Sequence, residues 1–381
     1  MATSTVSQQP SSGMPAGGFA GGVGVRPLER SDLGPVAALF RDAFEIGPRS
    51  VEPALAAFFE RTLLDQPWAD PEIPALVAVD GTGRPVGFAA AEVRRMQMGG
   101  RTLRFAWAAH TAVAPAARGS AAGLLLMRSL LDGPQDATLG DSGSPLMEDM
   151  WLRLGGRRID LKAIHWVRVF RPASVAAHLA SPRRPRLRRA SARLDDLIAA
   201  TARGIFAPAP APGTDEPLTA AAMLEALPRV ARRLELRPAY DREYLEWLFG
   251  ELGRVEGRGR LVARLVRGAP GRPIGWYVYY LRPGWRSEVL QIAAAGERDL
   301  GRVLDHLLAH AHAHGSAAVR GRLEPGMLQE VARRRCLLWY RGGTLAHSRD
   351  PSLLAAIESD RAMVTRLEGD PWLDKLVDAP A

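Results

Sequence analysis

The stretch WAAHTAVAPAARGSAAGLLLMRSLL, from Trp107 to Leu131, decides the fold predicted for this chain. It has the pattern of an apolar strand, a turn that contains proline, a run of small residues and an apolar helix. Because the small residues fall where the helix begins, several backbone N–H groups there have no partner within the helix. Free amides at the positive end of a helix bind phosphate groups. The sequence therefore predicts a phosphate-binding loop between a strand and a helix.

The segment from Arg118 to Gly123, RGSAAG, differs from two common phosphate-binding loops. It is not the GxGxxG of dinucleotide-binding domains, and it lacks the lysine and hydroxyl residue of a P-loop. NAD and nucleoside triphosphates are therefore disfavoured as ligands. A tight strand-to-helix turn that binds nothing is the alternative for so short a motif.

The same segment resembles the acetyl-CoA-binding motif of the GNAT N-acetyltransferases, V-x-P-x-x-R-G-x-[GA]-x-G between a strand and an apolar helix. Ala121 stands where the family usually has glycine, and it still lacks a bulky side chain. The resemblance implies that acetyl-CoA is the co-substrate and that backbone amides bind its pyrophosphate. The motif residues are Val113, Pro115, Arg118, Gly119, Ala121 and Gly123. The residues that the resemblance places on the cofactor are Thr111, Ala112, Val113, Arg118, Gly119, Ser120, Ala121, Ala122, Gly123 and Leu124.

Length and composition are those of a globular protein with room for two cores. The chain has 381 residues, of which 47% are hydrophobic and 24% are charged. No apolar run is long enough to span a membrane, and the N-terminus lacks the pattern of a secretory signal. Cys336 is the only cysteine, which excludes an internal disulfide and fits a reducing, cytoplasmic location. The net charge of +9 favours anionic partners, of which acyl-CoA and nucleic acid are two.

The order of predicted elements in the first half matches the GNAT fold. A strand near Val23 is followed by two helices, three antiparallel strands up to Val113, the loop and its helix, and then a strand, a helix and a closing strand. We expect residues 159–170 to supply that closing strand or strand pair. The predicted fold class is α/β, with two GNAT-like domains, each a mixed and mostly antiparallel sheet flanked by helices.

A short repeat indicates a duplication. Arg84-Pro85-Val86-Gly87-Phe88 recurs as Arg272-Pro273-Ile274-Gly275-Trp276, each time after an apolar strand and a turn. The second copy lacks the small-residue loop, and Glu297 and Asp299 place negative charge where a pyrophosphate would lie. We therefore expect that the second copy does not bind CoA.

The predicted division has a linker between the two copies. This linker contains the basic run SPRRPRLRRASAR (181–193) and an alternating Ala-Pro segment (207–212). A solvated face is favoured over nucleic-acid binding for the basic run, because no aromatic residues interleave with the arginines. The tandem arrangement resembles bacterial polysaccharide-related GNAT proteins. The predicted parts are a tail (1–22), a GNAT domain (23–172), a basic, Pro-rich linker with short helices (173–239), a degenerate GNAT-like domain (240–373) and a second tail (374–381).

Three residues are candidates for the general base that an amine substrate requires, because the amine must be neutral to attack the thioester. They are Glu92 on the strand before the loop strand, His110 on the loop strand and Asp141 after the next strand. Each has a structural alternative, since a strand histidine or an alternating carboxylate is commonly not catalytic. By resemblance, backbone N–H groups near Val113 hold the developing oxyanion.

Two tryptophans depart from the family pattern. Trp107 falls where many GNAT relatives have a glutamate base, and Trp151 falls where many have a tyrosine that protonates the leaving thiolate. These departures count against catalysis by side chains but not against CoA binding.

Other patterns in the sequence carry less weight. The run GDSGSP around Ser142 resembles a serine-protease motif, but His110 lies only about 30 residues before it, in an αβ context. His306, His310 and His314 share a helix face without a nameable further ligand, so no metal site is predicted. Cys336 borders a predicted buried strand and is a poor nucleophile candidate.

The sequence thus predicts an N-acetyltransferase that moves the acetyl group of acetyl-CoA to a primary amine, either of a small molecule or of an amino sugar. A protein lysine is also an acceptor that the pattern permits. The second domain and linker would wall the acceptor site or pair two copies into a homodimer. A non-catalytic acyl-CoA sensor is the main alternative, and a nucleic-acid-binding protein is a weaker one.

Overall fold

The computed structural model describes residues 22–47, 51–141, 144–180, 185–255, 257–324 and 326–369. The predicted tails lie outside these residues apart from Gly22, and so does Ser142.

Eleven α-helices and β-strands lie in the described residues up to residue 170, in the predicted order. Ser144 caps α4, its hydroxyl oxygen accepting a 3.2 Å hydrogen bond from the amide of Met147. Helix α2 continues as a π-helical turn, Glu60–Leu64. The elements are β1 (Gly24–Pro27), α1 (Leu33–Phe44), α2 (Glu52–Phe59), β2 (Leu76–Val79), β3 (Pro85–Met98), β4 (Arg101–Val113), α3 (Ala122–Leu131), β5 (Ala137–Asp141), α4 (Pro145–Arg153), β6 (Arg157–Ile159) and β7 (Ile164–Val169).

The remainder of the described chain adds nine helices and eight strands. They are α5 (Pro172–Ala180), α6 (Pro185–Thr201), α7 (Arg203–Phe206), β8 (Thr214–Pro217), α8 (Ala220–Val230), β9 (Leu236–Pro238), α9 (Arg242–Gly253), β10 (Arg260–Arg267), β11 (Pro273–Leu281), β12 (Arg286–Ala294), α10 (Glu297–Ala313), β13 (Ala318–Arg322), α11 (Leu328–Arg333), β14 (Leu337–Tyr340), β15 (Thr344–His347), α12 (Pro351–Glu358) and α13 (Arg366–Gly369).

The strands form two mixed sheets flanked by helices, which confirms the predicted fold class. The first sheet has the order β1-β2-β3-β4-β5-β15-β6, with β9 also paired to β3. The second has the order β14-β7-β13-β12-β11-β10-β8. In each sheet one parallel pair, β4 with β5 and β12 with β13, lies among antiparallel neighbours.

The two sheets exchange one strand each. The expectation that residues 159–170 close the first sheet was wrong, because β7 pairs with β13 and β14 of the second sheet. Trp166 of β7 is fully buried there, and a Cβ on its partner Gly321 would lie only 2.8 Å from the indole ring. In return, β15 enters the first sheet between β5 and β6. Each sheet is therefore completed by the other half of the chain.

The linker predicted at 173–239 contributes to both sheets. Strand β8 pairs with β10 of the second sheet, and β9 pairs with β3 of the first. The described part of the basic run belongs to the 17-residue helix α6, which begins nine residues before the short helix expected from Leu194 to Ile205. The sequence of α6 is rich in arginine, alanine and leucine, which favour helices. The helix therefore forms although its arginines repel one another.

The two sheets share details that support the predicted duplication. In the first sheet the parallel pairing of β4 with β5 ends at Ala108 and Gly140. In the second sheet the parallel pairing of β12 with β13 ends at Glu288 and Arg320. Two residues beyond each last pair, at His110 and at Leu290, the antiparallel register shifts by a β-bulge. Such a bulge bends a strand and re-aims its side chains.

The repeated Arg-Pro-x-Gly segment has the same packing role in both sheets. A Cβ on Gly87 would lie 2.8 Å from a methyl group of Leu126 in α3. A Cβ on Gly275 would lie 2.7 Å from a methyl group of Val303 in α10. In each half, glycine therefore allows the helix after the parted strand to pack closely on the sheet.

Among the described residues, no helix combines the length and apolar character needed to cross a bilayer.

Candidate active site at the parted strands

Strands β4 and β5 separate after Ala108 and Gly140. Beyond this point β4 continues to Val113 with β3 on one side and no β5 partner on the other. The bulge gives His110 a φ of +52°, a left-handed conformation that is uncommon for residues other than glycine. The parted strands therefore leave one strand edge of β4 with backbone groups free to bind a ligand.

The predicted loop follows directly on this strand edge. A short 3-10 turn, Pro115–Ala117, leads to Gly119, whose φ is +87° and whose surroundings are open. Within the described part of the chain, the amides of Gly119, Ala121, Gly123 and Leu124 donate to no acceptor. The amide of Ala122 differs, because it donates to the hydroxyl oxygen of Ser120 at 3.3 Å. Four free donors at one helix end fit a diphosphate.

The residues predicted for the cofactor are brought together by this strand, turn and helix, but not all of them face outward. Gly119, Ser120 and Leu124 are exposed, whereas Ala112 and Ala122 are buried in the cores on either side. The exposed Arg118 guanidinium donates to the carbonyl oxygen of Ala43, 3.0 Å away at the end of α1. Thr111 and Val113 lie on the free part of β4.

The structure brings together two of the three candidate bases. The Nε2 atom of His110 lies 3.7 Å from Oε1 of Glu92, and the other carboxylate oxygen of Glu92 accepts from Arg94. Burial alone would raise the pKa of Glu92, but Arg94 and His110 together lower it, so this carboxylate is ionised at neutral pH. Both candidate side chains are nearly fully enclosed, with the His110 ring near Phe40, Phe58 and Phe59.

Arg94 is a member of this cluster that the sequence interpretation missed. It is buried, and its Nε donates at 2.7 Å to the carbonyl oxygen of Glu368. The signal was present in the sequence, because residues two apart on a strand share a face and Arg94 follows Glu92 by two. The guanidinium compensates the buried negative charge of Glu92.

Asp141 lies apart from this pair, at the end of β5. Its Oδ1 accepts a 3.1 Å hydrogen bond from the hydroxyl of Thr344 and lies 3.5 Å from a nitrogen of Arg322. Both neighbours come from the second half of the chain, so no local pattern could have predicted them. These contacts make Asp141 part of the junction between the sheets.

The two tryptophans at the positions of typical catalytic residues are core side chains. Trp107 packs against the backbone of Gly369, where a Cβ would lie 1.9 Å from the indole ring. Trp151 lies between Gly140 and Gly156. Indole neither accepts nor releases a proton at neutral pH, so neither residue replaces the missing acid or base.

The second sheet has a cleft at the equivalent place. Strand β12 runs on past its last pair with β13, and a cavity of about 270 Å³ opens beside Ile292 and Ala293. Glu297 lines this cavity at the start of α10. A carboxylate at this helix end opposes a diphosphate ligand, and the expectation that this copy does not bind CoA stays a prediction.

The other candidate residues lie away from both clefts. His306 is near Asp215, and His310 hydrogen-bonds the hydroxyl of Tyr279 at 2.7 Å. Among the described residues, no group of three or more His, Cys, Asp or Glu side chains is placed to hold a metal ion. Burial raises the pKa of the Cys336 thiol to about 12, which disfavours the reactive thiolate.

Comparison with known proteins gives structural matches only. No protein-family model and no curated protein sequence matches the chain. A probable N-acyltransferase from Enterococcus faecalis superposes with a TM-score of 0.56 at 10% identity, over 85% of this chain and 72% of that one. A GCN5-related N-acetyltransferase from Kribbella flavida superposes with a TM-score of 0.52 at 16% identity, over 85% of this chain and 70% of that one. The N-myristoyltransferase of Saccharomyces cerevisiae with bound myristoyl-CoA superposes with a TM-score of 0.52 at 11% identity, over 89% of this chain and 86% of that one.

These matches define the class of the fold. The chain has the fold of the GNAT acyltransferases, built as two mixed sheets with flanking helices.

Proposed function

We propose that this protein transfers an acetyl group from acetyl-CoA to a primary amine of a small molecule or amino sugar. The observation that carries the proposal is the free edge of β4 beyond Ala108, continuous with four unpartnered amides around Gly119. Acyl-CoA supplies the activated thioester. The chain supplies donors for its diphosphate at the loop and for its amide groups along β4.

The proposal assigns the proton of the amine to the pair of His110 and Glu92. Ionised Glu92 lies 3.7 Å from Nε2 of His110, so the carboxylate and the ring are close enough to act as a pair on the amine proton. The bulge places the backbone of His110 where the strands part. Asp141 is a weaker candidate, because its carboxylate is engaged by Thr344 and Arg322.

The second half contributes to the first site through β15, which neighbours β5 and carries Thr344 next to Asp141. In this proposal the second half walls the acceptor site. A relation to polysaccharide chemistry and pairing into a homodimer stay predictions from the sequence.

The test is release of free thiol from acetyl-CoA in the presence of a panel of amines that includes amino sugars. The proposal predicts amine-dependent thiol release together with an acetylated product of the expected mass. Because the Cys336 thiol has a raised pKa, it contributes little background with thiol reagents. Absence of amine-dependent release across the panel would contradict the proposal.

A non-catalytic acyl-CoA sensor is favoured by one observation, the burial of Trp107 and Trp151 at the places of the family's base and acid. The same experiment separates the two functions. Saturable acetyl-CoA binding without thiol release would identify a sensor.

A further inference from the structure

A second concave site lies at the edge of the second sheet, away from both clefts. A cavity of about 360 Å³ opens between α5, α6 and the turn that joins β11 to β12. Its polar lining consists of Arg171, Ser174, His178, Arg189 and Ser191. The turn contributes Gly284, which precedes the parted end of β12 at Val289 by five residues, or roughly 17 Å of extended chain.

The lining of this cavity is cationic. It contains two arginines and a histidine, and none of the described residues that line it is acidic. Within the described chain, the guanidinium groups of Arg171 and Arg189 form no ion pair and no side-chain hydrogen bond. The nearby Asp195 is already engaged, because its two oxygens accept from the amides of Ala173 and Ser174 at 2.8 and 2.9 Å.

The wall behind the cavity adds to the positive field. The ring of His178 stacks on Trp285 at 4.0 Å, and the guanidinium of Arg286 lies 5.5 Å from the centre of Trp285. Burial and the charges of Arg320, Arg341 and Arg282 lower the pKa of Arg286 to about 10, although Glu288 opposes them. An anion at this edge would be stabilised by several cations at once.

The chemistry of the lining selects among anions. Two guanidinium groups offer paired N–H donors, and the hydroxyl of Ser174 offers a single donor, a set suited to a phosphate with several oxygens. A water molecule occupies about 30 Å³ of liquid, so the cavity is larger than one phosphate group requires. The remaining space fits an organic substituent.

We propose that this cavity binds the phosphate ester of a small molecule, with Arg171 and Arg189 as its phosphate ligands. The site is independent of the acyl-CoA loop, since it lies on α5, α6 and the β11–β12 turn, whereas the loop lies between β4 and α3. It also gives a role to part of the basic run, because Arg189 and Ser191 belong to that run.

The experiment uses inorganic phosphate as the probe on the full chain. Arginines are labelled with phenylglyoxal and located by mass spectrometry, with phosphate or with chloride at equal ionic strength. The proposal predicts that phosphate protects Arg171 and Arg189 and leaves Arg193 labelled. Arg193 is the matched control, because it lies exposed on the same helix outside the cavity. Equal protection of all three, or protection of none, would overturn the proposal.

Variants provide a second measurement. Arg171→Gln and Arg189→Gln should each weaken calorimetric binding of phosphate or pyrophosphate by about tenfold or more, the loss expected for a hydrogen bond to a charged group. Arg193→Gln should leave binding unchanged. These titrations are made in a Gly119→Asp background, which removes the proposed acyl-CoA loop, so the binding measured belongs to the cavity and failure of either site is recognised separately. Equal losses in all arginine variants would indicate general electrostatic attraction and would overturn the proposal.

Discussion

Asp141 and Arg322 contact each other across the two sheets, with Oδ1 3.5 Å from Nη1. Each is the last residue of a five-residue strand that pairs in parallel with the long strand of its sheet. The strand exchange brings these two strand ends together. The junction between the halves is therefore a contact between the oppositely charged ends of two strands that are each paired in parallel.

Arg322 should be the more sensitive partner. It is buried, and it also donates to the hydroxyl of Thr344 at 3.1 Å and to the carbonyl oxygen of Val364 at 2.8 Å. Arg322→Met should lower the free energy of unfolding by about 3–5 kcal/mol, because it leaves these acceptors and nearby carboxylates unpaired. Asp141→Asn should cost at most about 1 kcal/mol, since Asp141 is partly exposed. Urea unfolding measures both, and equal losses would contradict this account of the junction.

The strand exchange should make the two halves unfold together. Loss of β15 would separate β5 from β6, and loss of β7 would separate β13 from β14. We therefore expect one cooperative transition in urea, with tryptophan fluorescence and far-UV circular dichroism giving coincident curves. Two resolved transitions would show that each sheet is stable without the strand it receives.

Local features of the fold could be predicted from the sequence, because they depend on neighbouring residues. The hairpins, the loop at Gly119 and the cap at Ser144 are examples. The exchange could not be predicted, since β7 and β15 are short apolar strands whose patterns suit either sheet. Pairing between distant strands depends on packing that local patterns do not encode.

In the candidate site, too, local features could be predicted from the sequence and contacts between distant residues could not. The motif located the loop, and strand alternation could have linked Glu92 with Arg94. The contacts of Asp141 with Thr344 and Arg322 cross about 200 residues of sequence, and no spacing rule connects them. The phenylalanines around His110 likewise come from two other helices.

Asp215 should stabilise the protein in a pH-dependent way. Burial alone would raise its pKa, but hydrogen bonds with His306, Arg264 and Tyr277 lower it well below the usual value. Its stabilising contribution is therefore present above the unfolded-state pKa of about 4 and is lost as the pH falls through the lower folded-state value. Asp215→Asn should reduce the urea midpoint at pH 7 and have a smaller effect near pH 3.

The exposed Asp196 provides the control for this prediction. Asp196→Asn should leave the midpoint nearly unchanged at both pH values. A loss for Asp215→Asn that grew on acidification would contradict the assigned direction of the pKa shift.

His110 should affect turnover more than binding. Asparagine tolerates the left-handed backbone found at this position, so His110→Asn should preserve the bulge. Removal of a general base should lower the rate of amine-dependent thiol release by about 10²–10⁴-fold. Acetyl-CoA affinity, measured by calorimetry, should stay close to wild type. An unchanged rate would assign His110 a purely structural role and move the search for a base to Asp141.

The central claim is that the loop around Gly119 binds the diphosphate of acyl-CoA, and calorimetric titration with CoA tests it most directly. Gly119 and Gly100 are matched, with φ of +87° and +82° and open space around both, so aspartate imposes similar backbone strain at each. Gly119→Asp should weaken CoA binding by about a hundredfold or more through charge repulsion, whereas Gly100→Asp, in the β3–β4 turn, should bind like the wild type. Undiminished CoA binding by Gly119→Asp, or an equal loss in both variants, would contradict the account.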